Sequence, residues 1–231
     1  MLRSRLLSLS VALLTSAPFA AADGEKTVEV EPQHQTNPVE VARIVIGAQE
    51  VQCGLWMPRR QRQPIVPVAA GEDWLRSMVV YLSNRSDQTI VFAQLLLSFP
   101  ETGDGSQSAP IRTEHIQLGR IPPNVTSLDK QGKPVVQPPA AALAFAPGEA
   151  LAVKIGDYLQ DTNTSDAPTP LSQLSKCLIA KGTFFFANGM RWAGWSGFSV
   201  PDPMQPAKFK KLPDDYFPGD PSANWPPSVP R

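Results

Sequence analysis

The sequence predicts an all-β protein, a single β-sandwich over residues 39–200 with long Pro-rich loops and a Pro-rich tail. Three observations carry this expectation. Apolar residues recur with a period of two in short runs and almost nowhere with the period of a helix. The 231 residues include 25 prolines and 15 glycines, which punctuate the chain too often for long helices. The stretch from Lys181 to Val200 sets six aromatic rings around Asn188-Gly189, the strongest short-range hairpin signal.

The first element reads as an export signal. Arg3 and Arg5 precede an apolar run from Leu6 to Phe19, and Ala20-Ala21-Ala22 supplies the small residues that a signal peptidase accepts, so residues 1–22 are expected to be removed. The apolar run is shorter than the ~20 residues of a membrane span and contains Pro18, so no span is expected after cleavage. The expected location is secreted or periplasmic. Cleavage takes away two arginines and no acid, leaving 19 basic against 21 acidic side chains. A chain so close to neutral lacks the basic field that nucleic acid requires, and no nucleic-acid partner is expected. The local run Arg59, Arg60, Arg62 reads as an exposed loop among prolines.

Residues 23–38 are polar and mixed and read as a flexible leader, with at most a short strand at Val28 to Val30. From Val39 to Ile46, Val39, Val41, Arg43 and Val45 alternate with Glu40, Ala42, Ile44 and Ile46, a strand with an apolar side at each end. Met78, Val80 and Leu82 share one side of the next strand. Asn84 to Gln88 turns the chain, and Thr89 to Phe99 returns as a strand apolar on both faces, which suits a central position. Ile111 to Leu118 alternates like an edge strand. Residues 119–141 hold five prolines and read as an irregular excursion. Two short strands, Ala141 to Phe145 and Ala150 to Ile155, are expected around Pro147-Gly148, and one helical turn near Leu171 to Ser175. After Val200, nine prolines in 31 residues favour an extended tail over residues 201–231.

A type I′ turn at Asn188-Gly189 would pair Ala187 with Met190 and put Phe185 opposite Trp192. The second face would carry Phe184, Phe186 and Trp195, with Arg191 beside them. Neither face of this hairpin is polar. Three covers are open: the tail with Tyr216, Phe217 and Trp225, a protein or polysaccharide partner, or neighbouring loops. The candidate binding patch is therefore Trp192, Trp195, Phe184, Phe186 and Arg191.

Cys53 and Cys177 both lie in the exported part, where a disulfide between them is expected, with two buried thiols as the alternative. Only His34 and His115 could join them as metal ligands, and neither has ligand spacing, so no metal site and no cofactor is expected. Ser196 in "GWSGF" has the wrong spacing and setting for a nucleophile elbow. The acids Glu72, Asp73, Glu101 and Glu149 each sit beside a turn signal, which weighs against a carboxylate hydrolase, the rival reading. "FPETG" lacks the apolar segment and basic end of a sorting signal. Asn84, Asn124 and Asn163 meet the glycosylation pattern.

Trp74-Leu75, then Asn84, Ser86 and Asp87, then Phe99 to Thr102, Pro147 to Glu149, and Phe186 to Gly189 with Trp192 form a pattern. Over residues 70–200 this resembles a group of uncharacterised secreted bacterial proteins. The resemblance implies an immunoglobulin-like or fibronectin-like sandwich and brings no activity with it. Asn188 stands where that pattern more often has Asp, and the cysteine pair and Pro-rich tail are additions to it. The function expected is non-catalytic binding or assembly at the cell envelope or outside the cell. A carbohydrate-binding module using the aromatic hairpin is its sharper form.

Overall fold

Period-two runs of Val, Ile, Leu and Phe become strands along most of the chain. The computed structural model describes residues 24–33, 36–51, 54–55, 66–102, 112–122, 141–159, 170–194 and 196–218. Its strands are β1 (Gly24–Val30), β2 (Val39–Ile46), β3 (Gln49–Glu50), β4 (Gly54–Leu55), β5 (Val68–Ala70), β6 (Met78–Asn84) and β7 (Ile90–Phe99), followed by β8 (Arg112–Gly119), β9 (Ala150–Lys154), β10 (Lys176–Phe186), β11 (Arg191–Ala193), β12 (Gly197–Asp202) and β13 (Gln205–Lys211). Among the described residues there is no α-helix, only short 3-10 turns such as Leu171–Gln173. The chain is all-β.

The strands form two sheets. One has four strands in the order β3-β2-β6-β9. The other has nine, running β13-β12-β11-β10-β1-β4, with β5 beside β1, β7 beside β10, and β8 beside β7. One apolar core takes Ile44, Met78 and Leu82 from the smaller sheet and Val28, Leu97, Ile179 and Phe184 from the larger. Burying each such side chain stabilises the fold by about 1.5–3 kcal/mol.

β2 has the bounds its alternation predicts, and a register shift against β6 between Val41 and Arg43 resolves its two apolar ends. The shift re-aims the strand so that Val39, Ile44 and Ile46 all reach the core. Central β7 pairs with β10 on one side and β8 on the other, and its alternate residues from Leu95 to Phe99 are fully buried.

Four sequence expectations need correction. β6 and β7 are consecutive but lie in different sheets, so Asn84 to Gln88 is a corner between sheets and not the turn of a hairpin. The strands expected on either side of Pro147-Gly148 do not pair with each other either. Phe145 bridges to Ile90 of β7, whereas β9 joins β6. The leader is a strand: β1 runs from Gly24 and lies inside the larger sheet, with Val28 and Val30 in the core. Polar composition concealed it because Lys26 and Glu29 are buried with specific partners. The tail is partly built in as well. β12 runs on to Asp202 and β13 adds an edge strand, where a proline's missing N–H is tolerated. Leu212 and Tyr216 then return to the core.

Candidate functional site

The aromatic hairpin turns through three residues and not two. Phe186 accepts from Gly189 N–H and donates to the Met190 carbonyl, so Ala187, Asn188 and Gly189 form the loop. Among these only Gly189 has positive φ, at 86°, which rules out the type I′ turn that needs two such residues. Asn188 instead accepts the Met190 N–H through Oδ1 at 3.1 Å. The extra residue moves the register by one. Phe184 faces Trp192, and Phe185 faces Arg191.

That shift sends the rings inward. Phe184, Phe186 and Trp192 are 0%, 1% and 2% exposed, so these three members of the expected patch are core side chains and offer no face to a ligand. Phe184 packs on Trp192 with ring centres 5.4 Å apart, and Phe186 packs on Phe198 at 5.9 Å. Tyr216 and Phe217 close over Phe198, so the tail supplies part of the cover. Arg191 lies on the other side of the sheet. Its guanidinium sits 4.3 Å from the centre of the Phe209 ring and its Nε donates to Ser199 Oγ. Burial holds the pKa of Arg191 below the usual arginine range. Phe185 is covered by Phe92 and by Phe209 of β13. Trp195 lies outside the described residues.

The expected disulfide is corrected in the same way. Cys177 is a buried free thiol on β10, and burial pushes its pKa far above the usual thiol range. Cys53 lies outside the described residues, as do His34, Asn124 and Asn163.

A different place gathers polar chemistry: the point where β10 changes partner. Along one edge β10 pairs with β7, and along the other it pairs first with β1 and then with β11. β1 runs parallel to β10, with Val28 level with Cys177 and Val30 level with Ile179. β11 pairs only from Thr183 onward. A strand that changes partner leaves backbone groups to be satisfied between the two. The Lys181 N–H donates to the Glu31 carboxylate at 3.1 Å, while Glu31 N–H donates to the Ile179 carbonyl at 2.9 Å. The Lys181 ammonium reaches the Glu31 carbonyl at 3.2 Å and Gln33 Oε1 at 3.3 Å.

Above this junction a recess of about 240 Å³ opens between the sheets, lined among others by Glu31, Gln33, Glu40, Glu50 and Lys181. Lys181 is 4% exposed. Burial lowers its pKa, opposed in part by the charges of Glu31 and Glu40.

The rest of β1 is held by equally specific bonds. The Lys26 ammonium donates to the Leu174 carbonyl at 3.0 Å, the same carbonyl that receives Trp74 Nε1 at 2.9 Å. Glu29 is 4% exposed, and its Oε1 forms an ion pair with the Lys176 ammonium at 2.7 Å. The sequence reading allows only a short strand at Val28 to Val30 in place of the full β1 and does not single out Lys181 or Lys176. The available signal was the alternation of Lys26, Val28 and Val30 within a polar stretch.

The motif residues serve the backbone. Asn84 is buried at the corner between the sheets, where its Nδ2 donates to the carbonyls of Gln88 and Phe145, each at 2.9 Å. Its Oδ1 accepts from Ser86 N–H and Oγ. At 1% exposure Asn84 has no room for a glycan in the folded chain. Glu149 accepts the Ala146 N–H. Glu101 accepts from the N–H groups of Ser175 and Lys176 and from the Ser175 hydroxyl, anchoring the start of β10. Trp74 is a core residue. Ser196 occupies the turn between β11 and β12, where its N–H donates to the Ala193 carbonyl.

Among the described residues, no three His, Cys, Asp or Glu side chains gather where they could hold a metal ion. No described helix is long and apolar enough to cross a membrane. Comparison of the chain with protein-family models, with curated proteins and with solved structures found no match.

Proposed function

We propose that the protein is an exported, non-catalytic β-sandwich of the immunoglobulin-like or fibronectin-like kind that binds or assembles with a partner at the cell envelope or outside the cell. One observation carries the reading. Glu101 and Glu149, the motif acids a hydrolase would have to free, each accept hydrogen bonds from the chain's own backbone: Glu149 from the Ala146 N–H in its turn, and Glu101 from the Ser175 and Lys176 N–H groups at the start of β10. A carboxylate held this way organises a fold and is poorly placed to move protons for a substrate. The export segment supports the location, since Arg3, Arg5 and the run to Phe19 suit a secretory signal.

The test is a fusion of residues 1–231 to a reporter enzyme that is active only after export, with the native size of the exported protein measured by cross-linking in intact cells. Reporter activity, cleavage before Asp23 and a cross-linked species larger than the monomer are expected. A reporter silent in intact cells, or a monomer alone, overturns the proposal.

A further inference from the structure

We infer that β1 is an exchangeable strand: the groove that receives it on β10 can be filled by the β1 of a second copy of this chain, which joins two copies by strand exchange. This inference rests on the assembly reading above and names its contact.

The topology supplies the first reason. β1 is the first described strand, yet the partner that binds most of its length is β10, about 150 residues later, as in the Lys26 to Leu174 and Glu31 to Lys181 contacts. Until β10 has formed, β1 has no neighbour on that side, and loop closure over so long a chain makes the pairing slow. During that interval a second chain's β1 meets the same open edge.

The groove also recognises a defined peptide. Three charged residues of the β1 region each meet a fixed site: Lys26 at the Leu174 carbonyl, Glu29 at the Lys176 ammonium, and Glu31 at the Lys181 N–H. Between them, Val28 and Val30 enter the core. Buried charge pairs are a poor source of net stability and a good device for fixing register. Here they admit one strand, in parallel orientation and in a single register. Strand addition of this type takes its affinity from main-chain hydrogen bonds and its selectivity from alternate side chains.

The connection allows the exchange. Glu31 travels with β1, so the link to β2 is residues 32–38, bounded by Pro32 and Pro38. Seven residues extend to about 23 Å, a span that lets β1 reach a neighbouring copy packed against this one. Exchange replaces the intramolecular contacts of β1 by their intermolecular equivalents, so the added cost is that of association and of opening the Gln33–Asn37 and Asn37–Pro32 hydrogen bonds of the connection.

A cross-link tests this directly. Val28 and Cys177 are register partners, both in the core. Neighbouring strands lie about 4.8 Å apart, within the Cα separation a disulfide accepts. The full chain with Val28→Cys and Cys53→Ser is refolded as an equal mixture of two differently tagged versions and oxidised. The expected result is a reducible covalent dimer carrying both tags, joined between position 28 of one chain and Cys177 of the other, and increasing with the protein concentration during folding. Closure within single chains at every concentration overturns the inference.

If the doubly substituted chain does not fold, native mass spectrometry of wild-type chains refolded from unlabelled and nitrogen-15-labelled material replaces it. A mixed-mass dimer that forms on joint refolding and not on mixing the two folded samples supports exchange, and monomers alone, or mixed dimers formed equally by mixing folded chains, overturn it. Larger assemblies of chains closed within themselves would remove strand exchange and leave the assembly reading in place.

Discussion

The Asn84 side chain donates to the Phe145 carbonyl at 2.9 Å, while the Phe145 backbone bridges to Ile90 at the start of β7. Asn84 ends β6 in the four-stranded sheet, so this one amide ties together two of the places where the chain passes between sheets, β6 to β7 and β8 to β9. Gly148 N–H donates to the Asn84 carbonyl and Asn84 N–H to the Glu149 carbonyl, which brings the Pro-Gly-Glu turn to the same corner. Two motifs more than 60 residues apart in sequence are one structural joint.

Asn84→Ala should therefore cost more than one surface hydrogen bond. It removes the donor to Phe145 and Gln88 and the acceptor of Ser86 N–H at a site 1% exposed. The Phe145 carbonyl keeps the Ile90 N–H and the Gln88 carbonyl keeps the Ser86 hydroxyl, so the group left without its partner is the Ser86 N–H, and with two further bonds lost a cost of about 2 kcal/mol is expected in urea unfolding. A loss under about 1 kcal/mol would show that the corner is held by packing alone.

Gly119→Ala is expected to be more damaging, for a different reason. Gly119 ends β8 with φ of 78°, and an added Cβ would meet the Val91 carbonyl oxygen at 2.2 Å and Leu143 Cβ at 2.6 Å. Both the backbone region and the space reject a side chain, and the loss should exceed about 3 kcal/mol. The measurement is the thermal midpoint by circular dichroism, where a shift of a degree or two would contradict the packing described.

Tyr216→Ala tests whether the tail is part of the core. Tyr216 meets Phe198 edge-on at 5.4 Å, and its hydroxyl points to the Met190 sulfur at 3.7 Å. Truncating a buried ring costs about 3–5 kcal/mol in well-packed cores, and a value near 3 is expected at this partly peripheral position. An unchanged unfolding curve would mean that the Tyr216 ring, though buried against Phe198, adds nothing to the core.

What the sequence made legible follows from which forces leave a local mark. β2 was readable from its alternating apolar residues, although a register shift after Val41 breaks the burial period, β7 from a long run apolar on both faces, and β8 because only Ile116 and Leu118 turn inward. The pairing of β6 and β7 was not, because a turn signal reports that the chain reverses and not which sheet it enters. The hairpin register failed on one residue: Asn188-Gly189 fits a two-residue loop and also a three-residue loop whose last member alone needs positive φ. That single shift turned a proposed surface patch into core. β1 was hidden because Lys26 and Glu29 count as solvent-facing until residues 174 and 176, far along the chain, are placed beside them. The candidate site shares that property, since Glu31 and Lys181 meet only through the parallel pairing of β1 with β10.

Cys177 should be silent to thiol reagents in the folded chain and react fully once the chain is unfolded, because the residue is 0% exposed. Its pKa is raised by burial. The unfolded thiol gives up its proton above about pH 8.5 while the folded one keeps it, so this group's contribution to stability is complete below that pH and falls as pH rises. The fall amounts to about 1.4 kcal/mol per pH unit and should be missing in Cys177→Ala. Rapid labelling of the folded chain would show that the β1 side of β10 opens readily.

Lys181 carries the opposite sign and so can be separated from Cys177. Desolvation lowers its pKa in the folded chain, with Glu31 and Glu40 opposing the shift. At low pH both states hold the proton, and the folded state bears the whole cost of a buried cation. As pH climbs from the folded value toward the unfolded value of about 10.4, the folded chain releases its proton first and stability rises. The comparison is best made in the Cys177→Ala background, where the thiol no longer pulls the other way. Urea unfolding between pH 7 and pH 10 should show the Lys181 parent gaining stability relative to Lys181→Met. A gap between the two that stays constant with pH would mean the ammonium is solvated through the recess and carries no desolvation cost.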